Sequence, residues 1–165
     1  SGFLAEVVSK WEAEADNLVN PSVRLIVARL GVVIGKNGGV LKPLLPIFKL
    51  GMGGILGTGK QPTCFIHIED VYRAFLFFIH NTKTSGLFNL VAPHPISNSE
   101  FTKILANKLH RPGILRVPAF ALKIIYGQAS CIMLNGANVY PHQLLSQGFQ
   151  FSYPLFEDAI NEVLS

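Results

Sequence analysis

Cysteine is scarce in this chain, and its scarcity is the first constraint. Two residues, Cys64 and Cys131, stand far apart in 165 residues with no CxxC pairing. That excludes a disulfide framework and a cysteine zinc site, and fits a reducing, cytoplasmic compartment. Charge is sparse as well: 15% of the residues are Asp, Glu, Lys or Arg, for a formal net charge of +4. The cations form no run or stripe, so no nucleic-acid partner is expected. Long apolar runs are missing. Each is broken by Lys, Arg, Pro or Gly before the roughly 20 residues a membrane span needs, so no membrane partner is expected either. No HxxxH or HExxH spacing offers a metal site, and no GxSxG elbow offers a nucleophilic serine. No glycine-rich turn after a first strand opens the chain, which a dinucleotide fold would need.

What is present is a globular composition, 49% hydrophobic, in a chain long enough for one domain with a real core. Phe3, Leu4, Val7, Val8, Trp11, Ala15 and Leu18 recur at helical spacing and predict an amphipathic helix ended near Asn20-Pro21. Lys10 lies between Glu6 and Glu14 at i±4, the setting of a solvated residue. Val23–Ile34 is near-continuously apolar and β-branched, the pattern of an interior strand in a parallel sheet. Arg29 inside it needs a carboxylate or a ligand cleft, and Gly31 points to close approach by another backbone or a ligand.

Val40–Leu50 predicts a helix kinked at Pro46, Cys64–Ile68 a short strand, and Val71–His80 a helix capped by Glu69 or Asp70. The inward face of that helix is expected to be Val71, Phe75, Phe78 and Ile79. Gly86–Val91 reads as a buried strand, Glu100–Leu109 as a helix capped by Ser97 or Ser99, and Ile114–Val117 as a strand. Helices over Pro118–Tyr126, Val139–Gln147 and Leu155–Leu164, with a strand piece at Phe149–Phe151, complete a mixed α/β order.

The densest punctuation is Gly51–Asp70, GMGGILGTGKQPTCFIHIED. Gly54–Lys60 matches the first seven positions of a P-loop. Gln61 then stands where a hydroxyl would hold magnesium, Pro62 follows, and a strand comes next instead of a helix. A nucleotide triphosphatase is therefore excluded. Two readings remain: a loop that only turns the chain, or one whose Lys60 and Gln61 face a cleft and touch an anionic ligand. His67, on the strand beside that loop, is either a satisfied structural residue or part of the same cleft.

Several of these residues, in order, carry a resemblance. Trp11-Glu12, the run from Arg29 to Gly35, Gly38-Gly39, Phe48–Gly54, Gly57–Gln61, Phe65–Asp70, Gly86–Leu90, Ala92-Pro93, Arg111-Pro112 and Gly148-Phe149 resemble the nucleoside-diphosphate-sugar epimerase-like family of atypical extended short-chain dehydrogenases. The resemblance covers nearly the whole chain but only the C-terminal part of the family's proteins. It implies an α/β fold without the N-terminal Rossmann half. Late Rossmann elements would occupy about residues 1–39 and 63–92, and the substrate lobe about 40–62 and 93–165.

The same resemblance implies an NADP or NAD cofactor bound mainly outside these residues, with Leu30, Gly31 and Val32 contributing backbone near the nicotinamide. Arg29, Lys60, Gln61 and His67 would contact a small-molecule substrate such as a sugar nucleotide, Lys60 through its diphosphate. No residue here matches the family's catalytic tyrosine: Glu6 stands four before Lys10, and Lys10 only echoes the lysine of that motif. The expected chemistry of the complete enzyme is hydride transfer at a carbinol carbon, with the epimerase, dehydratase and reductase variants all open.

These residues alone are then expected to be an inactive fragment. Exposing four large side chains of a two-faced strand costs about 6–12 kcal/mol, against a total stability of ~5–15 kcal/mol. A homo-dimer or swapped assembly is therefore expected. The competing class is a stand-alone α/β module that binds an anionic ligand or a partner without catalysis. A strand–turn–helix bearing GxxGxxG upstream of Ser1 would decide for the enzyme.

Overall fold

The computed structural model describes residues 3–17, 23–36, 38–127 and 130–165. In chain order its elements are α1 (Phe3–Asn17), β1 (Ile26–Leu30), β2 (Val32–Gly35), β3 (Gly38–Gly39), α2 (Leu41–Lys49), β4 (Gly54–Leu56), β5 (Pro62–Thr63), β6 (Phe65–His67) and α3 (Ile68–His80). There follow β7 (Gly86–Leu90), β8 (Ile96–Ser97), α4 (Asn98–Lys108), β9 (Leu115–Val117), α5 (Ala119–Tyr126), α6 (Ser130–Leu134), α7 (His142–Ser146) and α8 (Phe156–Leu164). The class is α/β. The long-range pairings β1–β7, β2–β6 and β4–β9 are parallel, and β2–β3 and β5–β8 are antiparallel.

The apolar run expected as one strand is two, and they part at Gly31. β1 runs beside β7 in the register Arg29↔Asn89 and Leu30↔Leu90, while β2 runs beside β6 in the register Val32↔Phe65. At the junction the Gly31 amide donates to the Leu90 carbonyl at 3.0 Å and the Val32 amide to the Cys64 carbonyl at 2.8 Å. The chain thus changes partners across one residue. A Cβ built on Gly31 would stand 2.7 Å from the Cys64 carbonyl oxygen and 2.8 Å from a Val91 methyl carbon, which is why only glycine fits. The expected close approach is a backbone. The expected two-faced burial is not seen in β1, whose Leu30 is 50% exposed: it has one neighbouring strand among the described residues.

Apolar side chains gather in two clusters. The first joins Ile34, Leu41, Phe65 and Phe101 to Phe156, Ala159, Ile160 and Val163 of α8. Phe156 sits between Phe65 and Phe101, with ring centroids 5.1 Å and 4.8 Å away. The second packs Val71, Ala74 and Phe78 of α3 on Ile66, Phe88 and Leu90, and is closed by Leu144 and Phe149. The inward face of α3 therefore runs through Asp70, Val71, Ala74 and Phe78, and the expected Phe75 and Ile79 are exposed. Asp70 sets this rotation. Fully buried, it accepts from the Ser152 and Tyr153 amides at 2.7 Å and 2.9 Å and from Arg73 at 3.2 Å. It is an anchor, not a cap. The cap is His67, whose side chain accepts from the Glu69 amide.

Ser97 caps α4 in a capping box. Its hydroxyl accepts from the Glu100 amide at 3.2 Å, and Glu100 accepts from the Ser97 amide at 2.7 Å. The Ser97 amide, and then its hydroxyl, hold the Glu100 carboxyl below its ordinary value. A depressed carboxyl stabilises the fold above its unfolded pKa, near 4.3 for a free glutamate, and this contribution fades as pH falls through the folded value. Ser97→Ala is expected to cost about 0.5–2 kcal/mol at neutral pH. Urea titrations at falling pH should show the gap narrowing only by the share that the Ser97 hydroxyl lends the Glu100 carboxylate, while the share from its bond to the Glu100 amide persists; absence of any gap at neutral pH would contradict the box.

Other expectations shift locally. β4 lies inside the glycine stretch expected as loop, paired with β9. The helix expected over Val139–Gln147 is only α7, and Phe149–Phe151 is not a strand. On α1, Trp11 is 71% and Val8 43% exposed while Val7 is half-buried, so the predicted apolar face is largely uncovered among the described residues. The side chains of Phe3, Leu4, Ala15 and Leu18, and the stop at Asn20-Pro21, lie outside the described residues. No helix among the described residues is long and apolar enough to cross a membrane.

Candidate functional site

A cleft of about 900 Å³ opens where β1 and β2 part, within the roughly 300–1,000 Å³ of small-molecule sites. Its floor is Arg29, Leu30, Gly31 and Val32, with Asn89 and Val91 from the end of β7 and Cys64 before β6. β1 and β7 are parallel, so the cleft lies outside the carboxyl ends of parallel strands, where α/β sheets bind ligands. Leu44, Leu56, Phe101 and the start of α4 form one wall, and residues 132–140 form the other. That second wall is tied to the floor at Cys64, whose Sγ accepts from the Val139 amide at 3.3 Å and donates to the Ala137 carbonyl at 3.1 Å.

The polar groups of the cleft are mostly amides held in fixed orientations. Asn98 Oδ1 accepts from the Leu56 amide at 2.9 Å. Gln61 Nε2 donates to the Leu56 and Met133 carbonyls at 3.0 Å and 3.1 Å. Among the described residues Arg29 is the one charged side chain in the lining, and it is paired. Its Nε and Nη2 donate to the two Glu12 carboxylate oxygens at 2.6 Å and 2.5 Å. These hydrogen bonds hold the Glu12 carboxyl below its ordinary value and raise Arg29 above its own. The pair is therefore ionised and net neutral at physiological pH.

Of the residues singled out in the sequence, Arg29, Leu30, Gly31, Val32 and Gln61 meet in this cleft. Lys60, His67 and Lys10 do not line it. The turn explains Lys60. Gly59 is buried at φ +71°, and a Cβ there would strike Ile55 at 2.3 Å. The Lys60 amide donates to the Thr58 hydroxyl at 3.3 Å, and Lys60 is exposed. The expected grip of Lys60 on a ligand in this cleft has no geometric support.

His67 is buried on another side, 3% exposed, with Nε2 3.0 Å from Glu162 and its ring 4.0 Å from that of Tyr153. With Nδ1 accepting from the Glu69 amide, Nε2 carries the proton that Glu162 accepts. The partner is structural. Lys10 is exposed on α1. A second, smaller cleft of about 550 Å³ shares Gln61 and Asn135 with the first and contains Lys123 of α5. Among the described residues no group of three or more His, Cys, Asp or Glu side chains is placed to hold a metal.

Sequence reasoning missed Cys64, Asn89, Asn98 and the wall from Ile132 to Tyr140. One signal was available for Asn89, a polar residue in the strand GLFNL. Another was LNGANVY, an amide-rich segment between apolar helices.

Residues 117–163, from the end of β9 through α8, match a family described as a domain of unknown function, DUF1731. Over 163 residues the chain is 35% identical to an epimerase family protein of Staphylococcus aureus, covering 99% of this chain and 54% of that protein. A human epimerase family protein, SDR39U1 isoform 2, solved with NADPH, superposes with a TM-score of 0.94 at 33% identity over 99% of this chain and 56% of its own. A nucleoside-diphosphate sugar epimerase from Corynebacterium glutamicum superposes at 0.78 with 29% identity, over 99% of this chain and 31% of its own. The chain therefore spans about half the length of the curated relatives it matches.

Proposed function

We propose that this chain, which is similar over nearly its whole length to part of proteins described as epimerase family proteins, supplies the substrate side of the active cleft in an NAD(P)-dependent oxidoreductase of the nucleoside-diphosphate-sugar epimerase-like family of extended short-chain dehydrogenases. The observation that carries the reading is the cleft at Gly31. It combines the carboxyl ends of two parallel strands, an apolar floor and fixed amides in one concavity.

The residues present fit the ring end of a nicotinamide cofactor and not its phosphates. Leu30 and Val32 offer apolar surface beside the half-buried backbone at Gly31, and no unpaired cation lines the cleft among the described residues. When bound, such a cofactor supplies or accepts a hydride. This chain's own part is to orient and to exclude water. Phe101, Leu44 and Val91 close the apolar side, while Gln61 and Asn98 present amide groups whose directions are set by Leu56 and Met133. The adenine and phosphate contacts, and the acid/base tyrosine, belong to the portion of the family's proteins that this chain does not cover.

NADPH and NADH titrated separately into the intact protein, read by cofactor fluorescence, test this. Saturable binding of at least one is the expected result. Absence of saturable binding for both would sink the proposal.

A further inference from the structure

Resting on the reading of this cleft as the cofactor and substrate site, we infer that residues 135–140 are a strap that closes over the cleft's occupant, and that Cys64 is the residue that positions it.

The strap is fixed at its ends and lightly held between them. On one side it leaves α6, where Gln61 Nε2 donates to the Met133 carbonyl at 3.1 Å. On the other it runs into α7 through Pro141 and Leu144, both buried. The six residues between form no helix or strand, and all are exposed except the half-buried Val139. Among the described residues, Asn135 alone of the six joins a backbone–backbone hydrogen bond, to the Cys131 carbonyl.

What seats the middle of the strap is a pair of side chains from the cleft floor. Cys64 Sγ accepts from the Val139 amide at 3.3 Å and donates to the Ala137 carbonyl at 3.1 Å. Asn89 Nδ2 donates to the Tyr140 carbonyl at 3.5 Å, the outer limit for a hydrogen bond. Cys64 therefore makes both of the closer ties and holds two strap residues at once. The seat is specific, because Gly136 lies directly on the chain at Pro62: an added Cβ would collide with the Pro62 carbonyl oxygen and ring. Each of these contacts is made within the described chain.

All six strap residues line the cleft. A segment with little apolar burial, tied through one thiol, opens locally at far less cost than global unfolding. Tyr140 lines the cleft and is still 51% exposed, so a ligand beneath the strap covers apolar surface that now faces water. Binding and closure therefore reinforce each other, and loosening the Cys64 ties speeds the ligand's escape.

The test uses the intact protein. Amide hydrogen exchange by NMR, with and without saturating NADPH, compares Val139 with Ile160 of α8, and stopped-flow fluorescence reads NADPH dissociation. In the wild type, Val139 is expected to exchange faster than Ile160 and to slow about tenfold or more with NADPH. Cys64→Ala is expected to speed Val139 exchange in the free protein, and NADPH dissociation, about tenfold each while Ile160 is unchanged. Cys64→Ser keeps one donor and one acceptor and is expected within about threefold of wild type in both. Gly136→Ala leaves the thiol intact, lifts the strap at Pro62 and is expected to resemble Cys64→Ala.

Val139 exchanging as slowly as Ile160 in the free wild type overturns the strap, as does NADPH that binds and leaves Val139 exchange unchanged. Wild-type exchange and dissociation in Cys64→Ala overturn the role of Cys64, and so does Cys64→Ser as damaging as alanine. Should Cys64→Ala fail to fold, Cys64→Ser and Gly136→Ala still decide, and wild-type behaviour of Gly136→Ala overturns the strap. Wild type that binds no NADPH strikes the cofactor reading instead, and exchange in the free proteins then decides by itself whether Cys64 positions the segment.

Discussion

Asp70→Ala is expected to lower stability by about 3–5 kcal/mol, the cost of breaking a buried, hydrogen-bonded charged group. Asp70 is fully buried and binds the Ser152 and Tyr153 amides with its two oxygens. Arg73, which also bonds the Ser152 hydroxyl, braces it from the solvent side. Alanine leaves two amides without acceptors at the point where the chain turns into α8, each worth about 1–3 kcal/mol when unsatisfied. Asp70→Asn keeps one acceptor and is expected to cost about 1–3 kcal/mol. Urea denaturation midpoints at unchanged slope would measure both. If alanine costs under about 1 kcal/mol, the last segment is held by apolar packing alone.

With the cleft at Gly31 read as proposed, Gly31→Val is expected to damage stability and cofactor affinity together. An added Cβ meets a backbone oxygen at 2.7 Å and a valine methyl at 2.8 Å, and neither can swing aside like the end of a long side chain. Alanine there is expected to cost about 1–3 kcal/mol, the range for overpacking, and valine the top of that range or beyond. The residue must move, and it takes with it the two amide bonds that assign β1 to β7 and β2 to β6. The cleft floor shifts with them, so NADPH affinity should fall about tenfold or more in the intact protein. A valine variant with wild-type melting temperature and wild-type NADPH affinity would show that the floor tolerates displacement and that the cleft is not the cofactor's.

Local signals were legible wherever they depend on near neighbours. The capping serine of α4, the prolines of α2 and the apolar faces of α4 and α8 follow from spacing and chemistry within a few residues. The α/β class followed from the order of such segments. What spacing could not show was which partner each strand takes. Val23–Ile34 looks uniform in sequence, and only the carbonyls of Leu90 and Cys64, both distant in the chain, divide it in two at Gly31.

The same limit misplaced Asp70 and left His67 open. Asp70 looked like a cap, and His67 was either a structural residue or a cleft residue, because the partners Ser152, Tyr153 and Glu162 lie more than eighty positions away. Within the candidate site, Arg29 and Gly31 stood out because charge and glycine are unusual in an apolar strand. Asn98 did not stand out, since asparagine at the first position of a helix looks like ordinary end chemistry.

The docking of α8 also imposes an order in time. The chain is made from its N-terminal end at about 5–20 residues per second, so Phe65 and Phe101 are exposed on the growing polypeptide before Phe156 exists to separate and cover them. Helices α2 and α4 can form early from their own local signals, but the first apolar cluster stays open on one side until Phe156, Ile160 and Val163 arrive. During synthesis the chain therefore carries an unclosed aromatic surface for several seconds, an interval in which it is open to aggregation.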